Sequence, residues 1–460
     1  MSIDARISAR RRSAPATVAD ALHPLTARLF RGGPPVRFVF WDGSSLGPED
    51  GPGNVLVRSP EALKHLLWAP GELGLARAFV LGTIDLEARG APSPLGSPPG
   101  GDELISVLRA LHEAMQRRSS PGPSILIPLL AVARRFGLVS PPPAPPSVEV
   151  RLSSPWHPRS IHTKQRDAEA IHHHYDIGNE FYELVLGPPM TYSCARFERP
   201  DASLEEAQAS KHDLVCKKLG LSEWASKHLH RAARLLDVGC GWGSMAIHAA
   251  QRYGAEVIGV TLSTPQAMLA RKRVAEAGVG DRVEIRVQDY RDLDGSSFDA
   301  ISSIGMFEHV GERRMAEYFD ALFGLLGREG RLLNHAISSV GGSKMRGRTF
   351  INRYVFPDGE LIDVADVVRA MERSGLEVRD VESLREHYAR TLRRWVENLE
   401  RRWDEAVSLV GLERARVWRL YMSASVNAFD DGGIAIHQVL GVKPGPGGSS
   451  GMPATRAGWT

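Results

Sequence analysis

"ARLLDVGCGWGSMAIHAAQRYGAEVIGVTLS", from Ala233 to Ser263, holds two apolar runs, "RLLDV" and "EVIGVT", separated by a glycine-rich turn and a stretch with helical spacing. Short runs rich in Val, Ile and Leu are strands buried on both faces, and the order strand, helix, strand is the unit of a parallel sheet. The alternation continues through "TPQAMLARKRVAEAG", "RVEIRVQDY", "FDAISSIGMFEHV" and "GRLLNHAIS". The expected fold is therefore α/β, a Rossmann-like doubly wound sheet with right-handed crossovers. In such a sheet the ligand lies beyond the carboxyl ends of the strands.

Outward from this core, composition sets limits. The chain has 460 residues, more than one hydrophobic core usually supports, and its 57 basic and 54 acidic residues leave a net charge of only +3. So balanced a chain does not point to nucleic acid as a partner. Three cysteines, Cys194, Cys216 and Cys240, form no disulfide framework and suit a reducing, cytoplasmic setting. No apolar run reaches the roughly 20 residues that span a bilayer, so any membrane contact is expected to be peripheral. The start, "MSIDARISARRRSA", clusters Arg6, Arg10, Arg11 and Arg12 and reads either as a solvated tail or as a contact for anionic headgroups.

Proline, glycine and serine-rich stretches divide the chain into a basic flexible tail at 1–20, an N-terminal domain at 21–139, a linker at 140–150, a main domain at 151–443 and a flexible tail at 444–460. Within the N-terminal part, "PVRFVFWDGSSLG" and "NVLVRS" read as strands around an Asp-Gly turn, and "SPEALKHLLWAP" as a helix, which makes a small α+β domain. "SILIPLLAVARRFGLV" is strongly apolar with a basic end. It is read either as core or as a face that docks on lipid.

The glycines at 239, 241 and 243 open a helix after an apolar strand, which lets backbone amides approach a ligand closely. Their spacing is neither the dinucleotide G-x-G-x-x-G nor a phosphate loop. The stretch resembles motif I of the class I S-adenosylmethionine (SAM) methyltransferases, in which Gly239 and Gly241 face the methionine moiety. A carboxylate is expected at the end of the second strand, yet Thr261 and Leu262 stand there, with Gln266 one helical turn on. This departure is similar to the cyclopropane-fatty-acyl-phospholipid synthase family, whose adenosine site it would line, with Asp289 and Tyr290 of "QDY" beside the adenine.

A second segment, "IHHHYDIGNEFYELVLGPPMTYSC", raises metal and nucleophile chemistry. His172, His173 and His174 diverge whether the backbone is helical or extended, so they do not converge on one ion, and no metal is expected. Nothing in the sequence sets a base beside Cys194. The segment instead resembles the lid that precedes the SAM fold in cyclopropane synthases, and the likeness continues through "GMFEHVG", "LLNHAIS", "FINRYVFPDGEL", "LREHYARTLRRW" and "HQVLGVKP", over roughly residues 165 to 443.

That resemblance implies SAM as cofactor, held also by Tyr175, Tyr192 and Ser193, and a bound bicarbonate ion that accepts a proton. For the anion it implies Glu308, His335, Tyr388 and the backbone amides of Cys194 and Ile337. Read without the family, Glu308 would cap the helix beginning near Gly311, and Tyr388 would be an interfacial aromatic. Aromatic residues such as Trp395, Trp418 and Tyr421 lie at helical spacing and are unassigned between core and acyl tunnel. The implied function is SAM-dependent transfer to the double bond of unsaturated acyl chains of membrane phospholipids, forming a cyclopropane. The implied location is the inner face of the membrane, with a homodimer left open. A 10-methylene product and a non-catalytic SAM-fold lipid-binding protein are the competing functions.

Overall fold

The computed structural model describes residues 17–30, 33–87, 101–116, 125–150, 177–222, 231–293, 295, 297–342, 349–357 and 359–459. The chain forms two compact units, Met1–Ser147 and Val148–Thr460, which divide inside the proline-rich stretch.

In the first unit four strands, β1 (Arg37–Phe40), β2 (Ser45–Leu46), β3 (Asn54–Val57) and β4 (Ile84–Glu87), lie in the order β2-β1-β3-β4. β1 and β2 are the hairpin around Asp42-Gly43, whereas β3 runs parallel to β1, so "NVLVRS" is not a simple continuation of it. Residues 17–20 are not part of a flexible tail. Thr17 and Asp20 form a reciprocal cap on the helix Val18–Leu29, and Val18 and Ala19 are buried, so local hydrogen bonds and packing order the chain there. In the helix Leu126–Arg135, Val132 and Ala133 are buried, but Leu126, Ile127 and Leu130 are 54, 78 and 59 % exposed.

In the second unit the sheet runs β11-β12-β9-β8-β5-β6-β7, where β5 is Arg234–Val238, β6 Glu256–Thr261, β7 Val283–Val287, β8 Phe298–Ile304, β9 Leu326–Ser339, β11 Glu377–Ser383 and β12 Ile434–Val442. A two-residue strand, β10 (Ile362–Asp363), pairs beside β9. β9, β8, β5, β6 and β7 are parallel and β12 returns antiparallel. Both faces are covered: one core gathers Leu214, Val215, Ala246 and Ala249, and the other Tyr318, Phe319, Leu322 and Met371. The order reverses at β5, because β8 lies on one side and β6 on the other. The glycine loop therefore opens at the switch point where doubly wound sheets bind ligands.

The expected flexible tail at 444–460 is corrected for its described part, 444–459. Trp459 is buried in the core that holds Leu219 and Leu221, and the Arg331 guanidinium donates to the Gly451 carbonyl at 3.1 Å. Burial of one indole outweighs the glycine-rich composition from which the tail was read.

Candidate active site

β5 delivers Val238 to the start of the loop, and Gly239 and Cys240 donate their N–H groups to the Val260 carbonyl of β6 at 2.9 and 3.0 Å. Gly239 and Gly241 have φ of 75° and 54°, the left-handed region that glycine occupies without strain. A Cβ on Gly241 would meet nothing within 4 Å. It would project into an open cavity of about 1250 Å³, which leaves the backbone there bare for a ligand.

Nine predicted residues line this cavity: Tyr192, Ser193, Gly239, Gly241, Thr261, Leu262, Gln266, Asp289 and Tyr290. Tyr175 and the three histidines lie outside the described residues. At the end of β6 the Thr261 hydroxyl donates to Gln266 Oε1 at 3.0 Å, and both residues line the cavity. Asp289 is gripped by Arg291 through Nε at 2.8 Å and Nη2 at 2.6 Å. Across the mouth, the Trp242 indole donates to Asn179 Oδ1 at 2.8 Å and ties the helix Asn179–Leu186 to the loop.

Among the lining residues that the sequence reading did not assign are Trp242, Lys211 and Asp237. Lys211, on the helix Leu204–Leu219, is 1 % exposed and donates to Ser193 Oγ at 3.0 Å; burial pushes its ammonium down to about 7. Gln208, one turn earlier, donates to the Ser193 carbonyl at 2.8 Å, so this helix holds the roof of the cavity from behind. Asp237 accepts from the Ser302 hydroxyl at 2.7 Å, and burial pushes its carboxyl up to about 6. An acid ending an apolar strand was a visible signal for Asp237. No signal marks Lys211, because lysines are normally exposed.

Of the five predicted anion-site residues, Cys194, His335 and Tyr388 are buried and Glu308 and Ile337 half-buried, and none of the five lines this open cavity. A path through the backbone brings four of them together. Glu308, in the turn Phe307–His309 after β8, accepts the Ile337 N–H at 2.8 Å. Ile337 pairs with Ile436 across β9 and β12, and the Ile436 carbonyl takes the N–H of Leu384 at 3.0 Å. The Leu384 carbonyl then receives both the Tyr388 N–H, at 3.1 Å, and the Cys194 thiol, at 3.6 Å. His335 lies two residues before Ile337 and so shares its face of β9.

Two readings are corrected here. Glu308 is not a helix cap; its partner is a strand amide, and burial pushes its carboxyl up to about 7. The Ile337 amide is spent on that carboxylate rather than directed at an anion, because a buried carboxylate takes the nearest strong donor. Cys194 is no nucleophile, since burial holds its thiol far above the usual range. Among the described residues, Glu308 Oε2 and both ring nitrogens of His335 have no hydrogen-bond partner, although His335 is fully buried. Burial, then the Lys211 and Lys218 charges, push the His335 imidazolium well below the usual range, so the ring is neutral. Tyr388 packs against Phe429 and Trp395 with ring centres 4.7 and 6.0 Å apart.

The mycolic acid cyclopropane synthetase model matches residues 162–439. The chain belongs to the mycolic acid cyclopropane synthetase family. It is 43 % identical over 442 residues to a probable fatty acid methyltransferase of Mycobacterium tuberculosis, across 95 % of this chain and 97 % of that one. It is 30 % identical over 423 residues to the tuberculostearic acid methyltransferase of the same organism, across 90 and 88 %. Among solved structures, a mycolic acid cyclopropane synthase complexed with SAH and CTAB is similar at 33 % identity and a TM-score of 0.56, over 60 % of this chain and 98 % of that one. Like its family, the protein is a SAM-dependent methyltransferase. The bare backbone at Gly241 and the Gln266 amide fit that cofactor, whose sulfonium carries the methyl group to be transferred.

Proposed function

We propose that the protein methylates the double bond of an unsaturated acyl chain of a membrane phospholipid and closes the product to a cyclopropane. The observation that carries this reading is the set of buried, unpartnered polar atoms, Glu308 Oε2 and the His335 ring nitrogens. Unsatisfied buried groups cost free energy, which a ligand that pairs with them would recover. Attack of an alkene on a methyl sulfonium leaves a carbocation, which then loses a proton, so the enzyme needs a proton acceptor shielded from water.

The residues suit that need. Tyr192 packs against Trp395 and Trp418 at 5.3 and 5.7 Å, and Tyr421 against Trp418 at 5.9 Å, giving aromatic faces that stabilise a cation and exclude water. Glu308, poised near neutrality, holds or accepts a proton, and neutral His335 offers one donor and one acceptor. A bicarbonate bound there would supply a small, mobile base. His335, Glu308 Oε2 and the Cys194 amide would hold it, with Tyr388 nearby.

Peripheral contact with lipid is supported by the exposed Leu126, Ile127 and Leu130 beside Arg134 and Arg135. No described helix is long and apolar enough to cross a membrane. A second product, a methylene branch, is favoured by the likeness to a tuberculostearic acid methyltransferase and differs only in which proton leaves. Mass spectrometry of lipids from an expressing host, with fragmentation that separates a ring from a methylene branch, tests both. Unchanged lipids would reject acyl methylation.

A further inference from the structure

From the helix Leu204–Leu219 two buried side chains, Gln208 and Lys211, reach Ser193. Lys211 Nζ lies 3.0 Å from Ser193 Oγ, and both residues line the cofactor cavity although they are 1 and 6 % exposed. An ammonium has donors only, so in this contact the serine oxygen accepts. The Ser193 carbonyl is taken separately, by the Gln208 amide at 2.8 Å. Among the described residues no group accepts the Ser193 hydroxyl hydrogen, so what Ser193 has left to offer the cavity is one O–H donor.

The surroundings tell which ligand group would take it. Ser244, directly after the glycine loop, donates to the Pro189 carbonyl and holds the segment that carries Ser193 against that loop. Asp237, two residues before Gly239, lines the same cavity, and its Oδ2 has no partner among the described residues. Burial disfavours the Lys211 ammonium, and the Asp237 charge favours it. The amino-acid end of SAM carries a carboxylate, which only accepts, and an ammonium, which only donates. A hydroxyl held as a donor and a carboxylate oxygen without a partner match those two groups.

We infer that Lys211 is a positioning residue for the cofactor: by holding Ser193 Oγ as an acceptor, it makes the serine hydroxyl a donor aimed at the α-carboxylate of SAM. The inference rests on the SAM reading of this cavity and is independent of which acyl product forms. Burial suits the task, because a solvated lysine spends its donors on water, whereas this one has a fixed acceptor.

The test uses the full-length protein and calorimetry with two probes, SAM and decarboxylated SAM, which differ only in the carboxylate. Lys211→Met keeps the length of the side chain and removes its donors. It is expected to weaken SAM binding about ten- to a hundredfold, the range for a lost hydrogen bond to a charged group, and to change binding of decarboxylated SAM by less than about threefold. In a Ser193→Ala background the same substitution should alter SAM affinity by less than about threefold, because the hydroxyl through which Lys211 acts is gone. If Lys211→Met does not fold, Lys211→Gln, whose amide falls one atom short of the ammonium, is read in the same way. Equal losses for the two probes would make Lys211 a pin of the fold, and an undiminished loss in the Ser193→Ala background would make it a direct ligand. Either result, or no loss at all, overturns the inference. Failure of the wild type to bind SAM would overturn the reading of the cavity itself, and the inference with it.

Discussion

The carboxylate of Glu308 accepts the backbone N–H of Ile337 at 2.8 Å, which ties the turn after β8 to the interior of β9 and leaves one carboxylate oxygen without a partner among the described residues. Glu308→Gln keeps the shape and removes the charge. Turnover is expected to fall about 10²- to 10⁴-fold, the usual contribution of a positioned acid or base, while SAM affinity holds. Near-wild-type turnover in a folded variant would remove Glu308 from the catalytic set.

Ionisation of the same group has a thermodynamic signature. Its carboxyl is raised from 4.5 to about 7, so the native state binds this proton more tightly than the unfolded chain does. The resulting stability is fully present below about pH 4.5 and is lost as pH rises through about 7. The difference in melting temperature between wild type and Glu308→Gln should therefore drift across that window. A flat difference from pH 4 to 8 would contradict the burial argument.

Gly241→Val places a branched side chain in the cavity and forces a β-branched residue to φ near 54°. We expect SAM affinity to fall at least about a hundredfold, with strain of order 1–3 kcal/mol in stability. Calorimetry of SAM binding to the folded variant checks this, and unchanged affinity would move the cofactor away from the glycine loop.

At the surface of the N-terminal unit, Ile127 is 78 % exposed. If its face docks on lipid, Ile127→Glu removes apolar burial of roughly 1.5–3 kcal/mol and should weaken partition to anionic vesicles by about tenfold or more. Binding of the wild type should also weaken with salt, because exposed charges are screened over ~8–10 Å at physiological ionic strength. Equal binding of wild type and variant would exclude this face.

Trp459→Ala should lower stability by about 2–4 kcal/mol, since it deletes an indole packed in the core that also holds Leu219 and Leu221. Chemical denaturation measures it. A loss below 0.5 kcal/mol would restore the view of residues 444–459 as a tail.

The family likeness supplied the other residues that line the cavity, whereas the sequence by itself determined the parallel sheet and the glycine loop after β5. These depend on local facts: apolar runs bounded by turns, and backbone that only glycine tolerates. Even the absence of an acid after β6 was legible, and there the Thr261 hydroxyl donates to the Gln266 amide. The family likeness supplied Glu308, His335, Tyr388 and Cys194, but not how they meet.

Only the tertiary structure decided that the Ile337 amide serves Glu308, that Lys211 is buried against Ser193 and that Trp459 anchors the chain end. Each relation joins residues far apart in the chain, and its energetics turn on which polar atoms lose water and which partner each then finds. Composition records neither. A lysine reads as solvated and a glycine-rich stretch as loose until the packing around them removes the water, and that packing is a property of the whole sheet and its helices.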